Sequence, residues 1–268
     1  MKMPTSIQEP GWLGRTGARV RSLAGYPRCR REYLHGVVPV RLEVSAARAQ
    51  KELNRRMSDY PRNHLYHIVH GRIVPGFRLY ERLRLVTRVY PEPLHSFLDI
   101  GCCRGFFVLD AALRRHCPRA VGIDVHEPFV AIARDAARYL RVPEAAFHHA
   151  SLEDVSTTPQ EFGGPFQVVM LLGTYHYLYW GSSLCATAYH SHEEILRRLA
   201  AICTHQLIIS ARFTMERLPQ GIKQTLPEGQ SNETYAMEAF LQSAEKFFHT
   251  RHVGYLGVYP LLVMTKRS

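Results

Sequence analysis

The chain has no run of about 18 or more consecutive apolar residues, so no transmembrane helix is expected. Its first thirty residues lack the apolar core of a secretory signal. They are Arg-rich and poor in acids, as transit peptides are, but Pro4, Pro10 and Gly11 interrupt any amphipathic helix there. No C-x-x-C spacing joins the six cysteines Cys29, Cys102, Cys103, Cys117, Cys185 and Cys203. They read as reduced thiols of a cytoplasmic protein with no membrane partner. His64, His67 and His70 recur every third residue without further well-placed ligands, so no metal site is expected. There is no internal repeat and no low-complexity tract. Acidic residues are scarce at one end only. Residues 1–90 hold 18 Lys and Arg against 6 Asp and Glu, whereas the remainder hold 16 against 17. That basic third reads either as a surface for phosphates, such as those of RNA, or as a solvated helical face.

The character of the chain changes near Pro91–Pro93. This divides it into a basic, mainly helical extension or substrate cap (1–90) and an α/β domain (91–268). The extension has a loose start (1–40), then helical patterns over 43–57 and 77–90, the latter carried by Leu79, Leu83, Val86 and Tyr90. Beyond Pro93 strands alternate with helices. Strands are expected at 97–100, 120–124, 146–149, 166–172, 206–211, 252–257 and 260–265. Helices are expected at 105–116, from Pro128 to Leu140, from the S-x-x-E capping box at Ser191 through Ile202, and at 235–248. Phe166–Leu172 is almost wholly apolar, as suits a central parallel strand buried on both faces. Repeated βα units imply a parallel sheet between helical layers, with ligands bound just beyond the carboxyl ends of the strands.

Two such places carry chemistry. Asp99-Ile-Gly-Cys-Cys-Arg-Gly105 joins the first strand to its helix, and Gly101 and Gly105 allow a tight turn and close approach of a ligand. Asp124 ends the second strand, where an acid can accept hydrogen bonds from both hydroxyls of a ribose. The spacing Gly101, Cys103, Gly105 is not the G-x-G-x-x-G of dinucleotide sites, so the turn suits a cofactor without a pyrophosphate.

These residues resemble those of the class I methyltransferases that use S-adenosylmethionine. The resemblance spans roughly residues 94–268 and rests on Leu98–Gly105, Val121–Asp124 and Val168–Tyr177. It implies a Rossmann-like, seven-stranded, mostly parallel sheet of order 3-2-1-4-5-7-6, behind an N-terminal helical extension, and S-adenosyl-L-methionine as cofactor. It further implies that Asp99, Gly101, Cys103 and Gly105 hold the amino-acid end, that Asp124 and Val125 hold the ribose, and that Leu172 and Gly173 lie near the ammonium group. The family often has an acid after strand three for the adenine amine. Ser151 occupies that place, followed by Leu152 to pack on the ring, with Glu153 or Asp154 as substitutes. Cys103 stands where the family's first motif has its middle glycine.

On the acceptor side His176 is the candidate base, because an imidazole suits proton removal at neutral pH, and Tyr175 joins it in the catalytic set. Tyr175, Tyr177, Tyr179 and Trp180 read as an aromatic acceptor pocket or as packing for the loop. Three family variants are not supported. There is no Asn-Pro-Pro-Tyr after strand four, no acid there for a magnesium-dependent catechol enzyme, and no cysteine there for nucleophilic catalysis. The segment 214–234 reads as a lid. Gly173 to His176 is similar to the Gly-x-x-Tyr-His segment of the tRNA wobble-uridine alkyl-transferring group. The expected function is methylation of an O or N atom of a small molecule. The alternative is a tRNA or other RNA methyltransferase, and the third reading is a non-catalytic binding subunit on the same fold. The sequence leaves the oligomeric state open.

Overall fold

A computed structural model describes residues 31–34, 44–58, 64–185, 187–224, 226 and 233–267. Most of the expected loose start, Cys29 and part of the expected lid lie outside them, whereas residues 31–34 of that start are helical.

Beyond residues 31–34 the described elements are helix α1 (Val44–Ser58), strands β1 (Tyr66–Val69) and β2 (Arg72–Pro75), and helix α2 (Phe77–Val86), which is followed by a 3-10 turn at Thr87–Val89. The β1–β2 hairpin replaces what the periodicity left unassigned between two helices. Its two-residue turn, His70–Gly71, has φ of 50° and 71°, the paired left-handed geometry that matches strand twist. Tyr66, Ile68, Ile73 and Val74 are buried and seat the hairpin on the domain.

The α/β domain then runs β3 (Phe97–Ile100), α3 (Phe106–Arg115), β4 (Ala120–Asp124), α4 (Glu127–Leu140), β5 (Ala145–His149), α5 (Leu152–Thr157), β6 (Phe166–Leu172), α6 (Tyr175–Trp180), α7 (His192–Ile202), β7 (Cys203–Ser210), α8 (Gln220–Lys223), α9 (Met237–Ala244), β8 (Phe248–Leu256) and β9 (Tyr259–Lys266). The sheet order is β5-β4-β3-β6-β7-β9-β8, with β9 antiparallel to both neighbours and the rest parallel. This is the seven-stranded, mostly parallel arrangement expected. The final hairpin is longer than expected, because β8 starts at Phe248, where helix α9 had been extended on apolar residues alone.

The buried strands alternate their side chains between two cores. Val168, Met170 and Leu172 of β6 face α3, α4 and the N-terminal elements, while Val169 and Leu171 face α7 and α9. The N-terminal elements therefore share the first core rather than standing apart from it. Asn54 fixes the hairpin to α1 by donating to the Ile68 carbonyl at 2.8 Å and accepting from its N–H at 2.7 Å. Arg56 pairs with Asp135 of α4 at 2.7 Å.

Candidate functional site

The β3–α3 turn lies against the end of β4. Gly101 and Cys102 N–H both donate to the Ile123 carbonyl, at 2.8 and 3.0 Å. Gly101 and Gly105 have φ of 76° and 81°, and neither has room for a side chain. A Cβ at Gly101 would meet Thr174 Oγ1 at 2.3 Å, and one at Gly105 would meet Phe147 at 2.5 Å. Between them Cys103 has φ 52°, so it keeps the left-handed conformation that glycine would supply without cost. An ordinary residue there is disfavoured by about 1–2 kcal/mol. Asp124 offsets this by accepting the Cys103 N–H on Oδ2 at 2.8 Å. Its Oδ1 accepts the His126 N–H at 2.9 Å. Burial raises the Asp124 pKa and these two bonds oppose it. Each carboxylate oxygen retains acceptor capacity for a further donor.

Asp99 is the penultimate residue of β3 beneath this turn, 4% exposed, its carboxyl without a hydrogen bond among the described residues. Burial, reinforced by the Asp124 charge, pushes its pKa up to about 8. It opens onto a small cavity of about 30 Å³ that is also lined by His64, Tyr66, Arg82, Cys103 and Leu172. The N-terminal elements roof this cavity. Tyr66 Oη donates to the Arg104 carbonyl at 2.7 Å, and Arg104 donates to the Met57 carbonyl at 2.5 Å. Arg82 of α2 donates to the His64 ring at 3.2 Å, and its charge opposes the upward shift at Asp99. Sequence reading missed both His64 and Arg82. One lay in a histidine series and the other on a basic helical face, and neither position marks a cavity.

The remaining expected cofactor positions cluster at the same sheet edge. Leu172 lines the cavity, and Gly173, at φ 78°, has open space where a Cβ would stand. The Val125 carbonyl lies 3.0 Å from His149 Nε2. Ser151 caps α5 in a reciprocal box with Asp154, its Oγ donating to Asp154 Oδ2 at 2.8 Å. Leu152 is 1% exposed and packs in the core, so its side chain turns away from the rim where adenine was expected. The positive-φ cradle, the unengaged Asp99 carboxylate and the Asp124 carboxylate suit the amino-acid and ribose ends of S-adenosylmethionine.

The expected catalytic pair separates. Tyr175 is fully buried, lies 2.7 Å (Oη) from His192 Nδ1, and packs edge-on to Phe240. Burial drives its pKa far up. Its side chain lies in the core, because α6 starts at Tyr175 and directs that first residue inward. Tyr179 and Trp180 are buried beside it and contact Tyr235, which favours the packing alternative for those rings. Only Tyr177 of the four faces solvent, at 39% exposure. His176 is 1% exposed, and its Nε2 lies 3.4 Å from Arg212 Nη1. Arginine only donates, so Nε2 accepts and the ring proton sits on Nδ1, which has no partner. Burial first and the Arg212 charge second hold this imidazole neutral, its pKa well below 6.5. Arg212 also donates from Nε to Tyr259 Oη at 3.1 Å. It stands two residues beyond the end of β7, a place the rule on strand ends marks, though it was not singled out.

Residues 97–198 match the family model described as a methyltransferase domain. This stretch is similar to a methyltransferase domain, and the sheet has the Rossmann-like strand order that the class I resemblance implied. Among solved structures, one of WbdD, a protein described as a bifunctional kinase–methyltransferase, is 22% identical with a TM-score of 0.51, over 70% of this chain and 35% of that one. EvdMO1 is 16% identical with a TM-score of 0.52, over 81% and 47%. The N-methyltransferase NodS from Bradyrhizobium japonicum WM9 is 15% identical with a TM-score of 0.47, over 71% and 95%. The chain spans about two fifths of the length of the WbdD chains it matches. No curated protein matches the sequence. Among the described residues no helix is long and apolar enough to cross a membrane.

Proposed function

We propose that the protein is an S-adenosylmethionine-dependent methyltransferase acting on an O or N atom of a small-molecule acceptor. The observation that carries this reading is the Asp99 carboxylate, buried and unengaged beneath a turn of three left-handed residues at the edge of a methyltransferase domain. When bound, the cofactor supplies a methyl group on a positively charged sulfur. The acceptor's lone pair forms the new bond to carbon as the carbon–sulfur pair returns to sulfur.

The chain's own residues hold and align. Asp99 and the 101–105 turn receive the ammonium group, with the Leu172–Gly173 backbone beside it. The free lone pairs of Asp124 receive the ribose hydroxyls, with Val125 next to it. The region of Ser151 and Leu152 borders the adenine through backbone rather than through the Leu152 side chain. His176 stands on the acceptor side as the group that takes the acceptor's proton, through the Nε2 lone pair now turned to Arg212. Orientation of the acceptor against the methyl group contributes most, worth about 7–11 kcal/mol in favourable cases.

RNA as acceptor is the second reading. The exposed Arg48 and Lys51 on α1 favour it, as does the likeness of Gly173–His176 to the wobble-uridine group. Methyl-labelled S-adenosylmethionine, incubated with the protein and fractionated cell extract, tests both. Label in the small-molecule fraction supports the first reading. Label in a ribonuclease-sensitive polymer replaces it with the second. Failure to bind S-adenosylhomocysteine by calorimetry refutes both and leaves a binding subunit.

A further inference from the structure

Arg212 is a guanidinium without a carboxylate. Its two hydrogen-bonding partners, His176 Nε2 and Tyr259 Oη, are both neutral, and no Asp or Glu among the described residues lies within ion-pair distance of it. Two other half-buried arginines of the protein are matched by carboxylates. Arg198 has Glu194 at 2.7 Å, and Arg56 has Asp135 at 2.7 Å. Partly desolvated cations are normally paired, because removing water from a charge costs free energy unless an opposite charge or strong acceptors replace it. The guanidinium is also held in place from one side. Tyr259 Oη accepts from Nε, the ring of Tyr259 lies 5.2 Å from Cζ, and the Arg212 carbonyl accepts from Tyr235 Oη at 2.5 Å. An arginine fixed this way presents its remaining N–H groups as a preformed fork for an oxyanion.

Its location gives the fork a purpose. Arg212 follows β7 and His176 follows β6, the two strands that bound the acceptor side of the cofactor edge. Tyr177 packs against the His176 ring on that side, their centroids 4.2 Å apart. His176 adds an independent sign of an absent partner: at 1% exposure its Nδ1 has none.

We infer that Arg212, oriented by Tyr259, anchors a carboxylate or phosphate group of the methyl acceptor, so that the enzyme's substrates are anions. The inference rests on the methyltransferase reading above for its chemistry, though the anion site itself does not. Engagement of the guanidinium by an anion also draws it from His176 Nε2 and cancels the positive field on that imidazole, freeing the lone pair that the acceptor's proton needs.

The test measures binding of inorganic phosphate and of benzoate to protein saturated with S-adenosylhomocysteine, by calorimetry at constant ionic strength. Wild type should bind at least one of the two, and which one is tighter tells phosphate-bearing from carboxylate-bearing acceptors. Arg212→Gln should weaken that binding by roughly tenfold or more, as expected for loss of a charge-assisted bidentate contact. Arg212→Lys should retain part of it, and Tyr259→Phe should weaken it with a smaller change. All three should leave S-adenosylhomocysteine affinity within about twofold. In the labelling experiment the methylated product should be retained on an anion exchanger and should be lost with Arg212→Gln. Equal anion binding by wild type and Arg212→Gln overturns the inference, as does a neutral or cationic product that Arg212→Gln makes at the wild-type rate. Arg212-dependent anion binding without S-adenosylhomocysteine binding would leave the anion site standing and refute the methyltransferase reading instead.

Discussion

If Asp99 receives the cofactor's ammonium group as proposed, its state makes cofactor binding sensitive to pH in a direction that can be worked out. Its pKa is pushed up from 3.8 to about 8 by burial, with the Asp124 charge adding to the shift. Below that pH the free protein therefore holds a neutral carboxylic acid under the 101–105 turn. The cofactor's ammonium group needs the carboxylate, so binding must release one proton. Affinity for S-adenosylhomocysteine should then rise about tenfold for each pH unit up to about 8, since one unit corresponds to about 1.4 kcal/mol. Between pH 5.5 and 7.5 the dissociation constant should fall on the order of a hundredfold. The sign for stability is opposite. A carboxyl whose folded pKa lies above its unfolded value contributes stability below about pH 4, and that contribution is lost as pH rises toward about 8. The unliganded protein should lose thermal stability over this window, and bound S-adenosylhomocysteine should flatten the loss. Calorimetric titrations in buffers of different ionisation heat read both the affinity and the proton released. Asp99→Asn should bind more weakly at pH 7.5 and show a much shallower slope. A wild-type affinity that changes less than about threefold from pH 5.5 to 7.5 would refute the reasoning, as would an unchanged slope in Asp99→Asn.

Other residues yield sharper separations of role. Asp124→Ala should weaken cofactor affinity by at least about tenfold, because the variant loses both a charged acceptor for the ribose and the bond that holds Cys103 at positive φ. Unchanged affinity in a folded variant removes Asp124 from the ribose site. His176→Ala should lower turnover by about a hundredfold or more with little effect on cofactor affinity. The turnover of the wild type should show no inflection near pH 6.5, since burial and Arg212 hold the ring neutral there, and an inflection that vanishes in His176→Ala would contradict that neutral state. Tyr175→Phe should cost about 1 kcal/mol of stability through the missing bond to His192, seen as a few degrees in Tm, with turnover per folded molecule unchanged. A collapse of turnover at unchanged Tm would return Tyr175 to the catalytic set.

Legibility in the sequence followed the strength of the local physics. The sheet and its order were readable because Phe97–Ile100, Ala120–Asp124 and Phe166–Leu172 are short apolar runs ending at turn residues, and a right-handed βα succession admits few topologies. The grouping at the strand ends was readable because glycine and acid mark them, and Asp99, Gly101, Cys103, Gly105 and Asp124 lie together at one sheet edge, the one proposed for the cofactor. The second duty of Asp124, fixing the Cys103 N–H, was not readable, since a backbone bond leaves no trace in residue type. The burial of Tyr175 was hidden for a related reason. A sequence shows that it follows β6 but not which way the first turn of α6 points, and the answer depends on Phe213, Phe240 and His192 from distant segments. The hairpin at Tyr66–Pro75 was hidden by its brevity, since two four-residue strands fall below the length at which alternation separates from helical periodicity.

The basic third bears on the acceptor in a way its bulk charge does not show. Several of its cations serve the domain itself. Arg56 pairs with Asp135, and Arg82 lies between His64 and the field of Asp99. Tyr66 and Met57 meanwhile bind Arg104 of the cofactor turn, so this region is built into the cofactor edge rather than appended to it. The excess charge therefore overstates the surface free for RNA, and that reading draws on exposed cations such as Arg48 and Lys51 of α1. Replacing both with Glu separates the cases. If RNA is the acceptor, its binding should weaken and the salt slope should flatten, because every phosphate the protein no longer neutralises keeps about one counterion that binding would otherwise release. If the acceptor is a small anion held by Arg212, neither its binding nor cofactor affinity should respond, since α1 meets the domain through Leu53, Met57 and Asn54 on its other face.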